Sequence, residues 1–123
     1  MYTSIQNVAI IIALLKKHGI RHLVLSAGTR HVPLAHSVEN DEYFNCYSVV
    51  DERSAAYYAL GLSKEFREPV AVACTSSTAT CNYVPAVAEA YYQHIPLLVL
   101  TGDRDPYLLD QLEDQMIDQV DMY

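Results

Sequence analysis

Residues 69–75 read PVAVACT, and no side chain between Pro69 and Thr75 is polar. A run that is apolar at every position is a strand buried on both faces. A sheet provides that environment when its strands are parallel and helices cover both sides. Three more short apolar runs have the same character: HLVLS at 22–26, FNCYSVV at 44–50 and PLLVLTG at 96–102.

Helical patterns separate them. Ile5, Val8, Ile11, Ile12 and Leu15 recur at helical spacing, with Thr3 or Ser4 as a cap and Gly19 as a stop. Pro33 suits the first turn of a short helix ending near Asn40. A long helix is expected from Asp51 to about Phe66, and another over 77–93, which Pro85 either kinks or starts late. The remainder from Asp103 is acidic and less regular, and QMIDQVDMY at 115–123 is expected to begin one more helix. The expected fold class is therefore α/β, a three-layer parallel sheet with helices on both faces, in one domain over 1–123 with right-handed crossovers.

The net charge of −7 argues against a nucleic-acid binder, which needs a basic face, and against an anionic membrane surface. No apolar run reaches the length of a membrane span, and the start lacks the pattern of a signal peptide. Cys46, Cys74 and Cys81 have no CxxC spacing, which fits reduced thiols in the cytoplasm and no metal set.

In a parallel sheet, ligand-binding residues lie in the loops after the carboxyl ends of the strands. Four loops qualify here, beginning at Ser26, Val50, Cys74 and Thr101. In the first, Gly28 permits a tight turn and Arg30 can hold a carboxylate or phosphate, although spacing alone favours a surface turn with a solvated Arg30. In the second, Asp51 is a good N-cap and Glu52 suits the helix dipole. Pattern alone favours capping there over catalysis. The hydroxyls of Ser76, Ser77 and Thr78 either cap a helix or line a polar pocket. Arg104, between Asp103 and Asp105, is either an anion site or a self-paired surface cluster. The histidines have no triad partner or metal spacing and read as surface or structural residues.

Taken in order, SAGTRHVPL, DERSAAYYALGLSK, CTSSTATCNYVPAVAEAYYQHIPLLVLTGDR and DQMIDQ resemble the amino-terminal, pyrimidine-binding domain of thiamine diphosphate enzymes, from about Ile5 onward. Within that family the similarity is greatest to the synthase branch of menaquinone synthesis. The resemblance implies that Glu52 hydrogen-bonds a ring nitrogen of the cofactor's aminopyrimidine and favours its imino tautomer. It implies that Ser76, Ser77 and Thr78 lie beside that ring. Thr29, Arg30 and Arg104 would meet substrate carboxylates, and Gln115 would sit at the edge of the site.

The implied reaction is decarboxylation of a 2-oxo acid, 2-oxoglutarate, followed by addition to isochorismate. Thiamine diphosphate and Mg2+ would be the cofactors, with no metal ligand in this chain. Small carboxylates would be the substrates, and pyrimidine-domain packing would build a homo-oligomer. Three departures from the family pattern stand out: Ala27 to His31 replace Pro-Gly-Ser-Arg-Ser, Ser77 replaces a glycine, and Asp105 displaces a proline. The Gly-Asp-Gly motif of the diphosphate-binding domain does not occur, so the chain is expected to be a truncated piece of a longer enzyme, inactive alone. Another thiamine diphosphate decarboxylase or an acetolactate synthase-like enzyme is the alternative reading, and a non-catalytic module or subunit of a two-chain enzyme is a third.

Overall fold

A computed structural model describes residues 3–123. Four strands form one sheet: β1 (His22–Leu25), β2 (Asn45–Ser48), β3 (Val70–Cys74) and β4 (Leu97–Thr101). Their order is β2-β1-β3-β4, and every pairing is parallel. Five helices connect and cover them: α1 (Gln6–Lys17), α2 (Val32–Glu39), α3 (Glu52–Phe66), α4 (Thr78–Cys81) and α5 (Val84–Gln93).

The strand alternation divides the interior into two cores. Leu23, Leu25, Ala71 and Ala73 face one side, where Ile12 and Leu15 of α1 and Leu34 and Val38 of α2 pack on them. Val24, Val70, Val72 and Cys74 face the other, against Ala55, Ala56 and Ala59 of α3 and Ala86 of α5. Alanine at 55, 56 and 59 brings α3 close to the sheet. The three expected layers are present.

The helix ends follow local rules with two corrections. Neither Thr3 nor Ser4 caps α1. Its N-cap is Ile5, which has no side-chain cap bond, while the Thr3 hydroxyl accepts from the Ile5 N–H at 3.1 Å. Gly19 does end the helix, at φ +73°, with Ile20 N–H donating to Leu15 O and Gly19 N–H to Lys16 O. The expected helix over 77–93 is two helices, and Pro85 lies in the first turn of the second. Residues 115–123 form no helix. They run as an irregular strap over the ends of β3 and β4, tied there by Gln119, which donates to Gly102 O at 2.9 Å, and by Tyr123, which donates to Thr80 O at 2.8 Å.

Candidate functional site

The strand order places the topological switch between β1 and β3, because the connection from β1 runs outward to β2 and the chain then returns to the far side of β1. Open sheets of this kind bind ligands at the carboxyl ends flanking that switch. Here the loops after β1, β3 and β4 meet. Ser26 N–H donates to Ala73 O, and Gly102 N–H donates to Cys74 O. Gly28 is pressed so closely to Thr75 that a Cβ built on it would lie 2.4 Å from Thr75 Cβ. A Cβ on Gly102 would lie 3.2 Å from Arg30 Cβ. Small residues at 28 and 102 therefore let three loops share one junction.

Arg30, Ser77 and Gln115 come together at this junction. Arg30 Nη1 donates to Gln115 Oε1 at 3.4 Å, and Ser77 Oγ donates to the Gln115 carbonyl in a short contact. Arg104 joins through the same segment: its guanidinium pairs with Glu113 at 3.3 Å, and its backbone N–H donates to Asp103 Oδ1. It is thus not paired with its flanking aspartates through its guanidinium, and its Nε is buried without a partner. Thr29 and Thr78 are exposed beside the junction, and their side chains hold none of it together.

Glu52 is the first residue of α3 and is half-buried. Asp51 takes the capping role, its carboxylate accepting from Ser54 N–H at 2.8 Å and from Ser54 Oγ at 2.7 Å. Those two bonds hold the Asp51 carboxyl below its usual range. Capping by its neighbour leaves the Glu52 side chain with no hydrogen bond among the described residues. Its charge acts on three buried groups: His31 before α2, Cys74 at the end of β3 and Tyr83 before α5. The His31 imidazole is lowered by burial, against the opposing pull of the Ser26 backbone and of Glu39 and Glu52. Burial pushes the Cys74 thiol up to about 12.

The hydroxyls after β3 do not serve as caps. Ser77 is the N-cap of α4, but its side chain makes no cap bond and turns to Gln115 instead. Thr75 Oγ1 and Ser76 Oγ are buried and unpartnered. Orphaned buried hydroxyls at the carboxyl end of a central strand suit a polar ring held edge-on, since such groups are otherwise almost always paired. Ser77 has φ 65° and ψ −116°, a conformation that favours glycine. Sequence reasoning marked this position as a glycine site carrying a serine, and the backbone agrees. Sequence reasoning missed Gln119, whose side chain accepts from Ser77 N–H at 2.8 Å while donating to Gly102 O. It also missed the burial of His31 and of Tyr83. Only an apolar context flanking each of them could have signalled that.

A doubly wound parallel sheet with polar loops converging at its switch point defines a cofactor- or substrate-binding α/β domain. The chain belongs to the thiamine pyrophosphate enzyme family, as its N-terminal TPP binding domain, the family pattern matching residues 6–122. It is 46% identical over 119 residues to 2-succinyl-5-enolpyruvyl-6-hydroxy-3-cyclohexene-1-carboxylate synthase of Phocaeicola vulgatus, covering 97% of this chain and 21% of that protein. The synthase of the same name from Desulfotalea psychrophila is 50% identical over 106 residues, covering 86% of this chain and 20% of the relative. The chain thus spans about a fifth of the length of the curated relatives it matches. In fold it is similar to a crystal structure of benzoylformate decarboxylase from Polynucleobacter necessarius, with a TM-score of 0.80 at 24% identity over 99% of this chain and 22% of that one. Among the described residues no helix is long and apolar enough to cross a membrane.

Proposed function

We propose that this chain forms the pyrimidine-binding part of a thiamine diphosphate-dependent carboligase that decarboxylates 2-oxoglutarate and joins the remaining unit to isochorismate. The observation that carries it is the half-buried Glu52 with no hydrogen-bond partner among the described residues, at the first position of α3 after β2. That the relatives from Phocaeicola vulgatus and Desulfotalea psychrophila are 2-succinyl-5-enolpyruvyl-6-hydroxy-3-cyclohexene-1-carboxylate synthases supports the substrate pair.

When bound, thiamine diphosphate supplies the electron sink that a 2-oxo acid needs to lose carbon dioxide. The residues of this chain do the rest of what concerns it. Glu52 shares a proton with the aminopyrimidine ring, a task suited to a carboxylate in a partly dry setting. Ser76, Ser77 and Thr78, with the orphaned Thr75 hydroxyl, border that ring. Arg30 and Arg104 take substrate carboxylates by parallel hydrogen bonds, with Thr29 beside them. Gln115 orients Arg30. Magnesium and the diphosphate would be held by residues outside this chain, in a cytoplasmic homo-oligomer built through pyrimidine-domain packing. The exposed Tyr91 and Tyr92 of α5 support such packing.

The test is Glu52→Gln in the full-length protein, assayed with 2-oxoglutarate and isochorismate. Turnover is expected to fall by roughly 10²–10⁴-fold. Turnover within a few-fold of wild type would remove Glu52 from the chemistry. The buried His31, in a loop where the family carries serine, favours a second reading with a different acceptor. A panel of 2-oxo acids and acceptors separates the two.

A further inference from the structure

Glu113 is exposed on the segment leading into the strap, yet its carboxylate reaches the guanidinium of Arg104. Arg104 Nη1 donates to Glu113 Oε2 at 3.3 Å, the one hydrogen bond this guanidinium makes among the described residues. The two side chains sit very differently. That of Arg104 is 16% exposed, and its Nε is buried without a partner. That of Glu113 is 49% exposed. A guanidinium offers five N–H donors in a planar fork, which fits a carboxylate by two parallel bonds of about 2.7–2.9 Å. The pair here uses one donor at a longer distance.

Little else holds Glu113 in place. Its neighbour Leu112 is fully exposed at φ 59°, and Asp114 is exposed as well. The segment is tied at its two ends. Gln111 N–H donates to Leu108 O at 3.2 Å, and the Gln115 carbonyl accepts from Ser77 Oγ. Between those ties no apolar side chain is buried. A stretch with so few contacts opens at low cost. Gln115, two residues on, reaches Arg30 with a neutral amide, which does not offset that arginine's charge. Glu113 instead offsets the charge of Arg104 with a carboxylate, the group that the proposed substrates carry.

We propose that Glu113 is an internal competitor for the substrate carboxylate: it occupies Arg104 until a carboxylate-bearing substrate displaces it into solvent. The proposal rests on the reading of Arg104 as a residue that takes substrate carboxylates. A single-point pair with a half-exposed acid is weak, and a carboxylate that engages the fork by two bonds outcompetes it. The apparent Kd is then the intrinsic Kd divided by the fraction of molecules in which Arg104 is free. Removing the Glu113 charge raises that fraction and lowers KM without touching the chemical step.

The test uses the full-length protein with thiamine diphosphate, Mg2+, 2-oxoglutarate and isochorismate. Arg104→Gln first identifies the substrate that Arg104 serves, as the one whose KM it raises. Arg104→Lys takes its place if turnover is too slow to measure. Glu113→Gln keeps the size and loses the charge. It is expected to lower KM for that substrate by about two- to fivefold with kcat unchanged. In the Arg104 variant background it should leave KM where it was. Asp114→Asn removes an equal charge from the next residue, also exposed, and controls for a general loss of negative field. A KM unchanged or raised by Glu113→Gln overturns the proposal while Arg104 keeps its role. An equal fall in Asp114→Asn overturns it too. If the Arg104 variant raises neither KM, the reading of Arg104 fails and the proposal with it, so the two failures are distinct.

Discussion

Replacing Gly28 by alanine tests the idea that the site exists because three loops are allowed to touch. Gly28 has φ 164°, extended backbone that any residue adopts, so the substitution brings no backbone strain. The obstacle is steric. The new Cβ would sit 2.4 Å from Thr75 Cβ and 2.9 Å from Thr75 Cγ2. Carbon atoms rest at about 3.5–4.0 Å, so the loops after β1 and β3 must part by roughly 1 Å. Neither loop is free to yield, because Ser26 N–H to Ala73 O and Gly102 N–H to Cys74 O pin both sides at 3.0 and 2.9 Å. Overpacking of this kind costs about 1–3 kcal/mol. The lost freedom of the unfolded chain returns about 0.4–1 kcal/mol. The net is a destabilisation of about 1–2 kcal/mol, and for a chain of this length each kcal/mol moves Tm by roughly 4 °C. Thermal unfolding followed by far-UV circular dichroism is expected to show Tm lower by about 4–8 °C. Gly61→Ala is the control. Gly61 lies within α3 with nothing within 4 Å of the added Cβ, so its Tm should rise by about 2–4 °C as helix propensity improves. Thr75→Gly removes the opposing Cβ and should cost less in the Gly28→Ala background than in the wild type. If Gly28→Ala melts at or above the wild type, the close approach does not constrain the junction and the reasoning fails.

Three shorter predictions follow from other contacts. Ser77→Ala keeps the positive φ and loses the bond to Gln115, whereas Ser77→Gly loses the bond but relieves the backbone. Alanine should therefore be the less stable variant by about 1 kcal/mol in urea unfolding, and the reverse order would show that strain is absent at 77. Asp51→Ala should lower Tm at neutral pH. Because the folded carboxyl is held below its ordinary value, its contribution is complete above about pH 4 and fades as pH falls through the lower folded value. The gap between wild type and variant should close only on acidification, and a gap that closes on raising the pH would refute the sign. Iodoacetamide at mildly alkaline pH should modify the exposed Cys81 first. Burial pushes Cys46 up to about 11 and Cys74 up to about 12, and equal rates by mass spectrometry would show those sites to be open.

The sheet was legible in the sequence because its signal is local and repeated. PVAVACT, at β3, is buried at all five of its strand positions, and the runs at 22–26, 44–50 and 96–102 each yield a strand one to three residues shorter than the run. The position of Glu52 was legible for the same reason, since a strand, a capping Asp51 and an alanine-rich helix fix it in one stretch. What pairs with what was not legible. Arg104 sits between two aspartates in the sequence, yet its guanidinium reaches Glu113, because the strap turns back on itself after the short 3-10 turn at Pro106–Leu108. Proximity along the chain could not report a fold-back that has no periodic pattern.

The strap also explains why the expected helix at 115–123 is missing. A helix beginning at Gln115 would direct its backbone N–H and C=O groups to one another. Instead the Gln115 carbonyl accepts from Ser77, and the Gln119 side chain bridges Ser77 N–H and Gly102 O. The strap and the segment leading into it hold Asp110, Leu112, Gln115 and Asp121 at positive φ without a single glycine among them. Ser77, its partner across the junction, is at positive φ too. Backbone conformations of this kind persist only where surrounding contacts over-determine them, and they gather at functional sites. Among the described residues, Arg67 and His94 hold positive φ as the C-caps of α3 and α5, and the other five non-glycine cases lie on the two segments that carry Gln115 and Ser77 to Arg30. The failure of the helical expectation and the assembly of the candidate site are therefore linked: Gln115 and Ser77, both at positive φ, are also the residues whose bond holds the strand-end loops together.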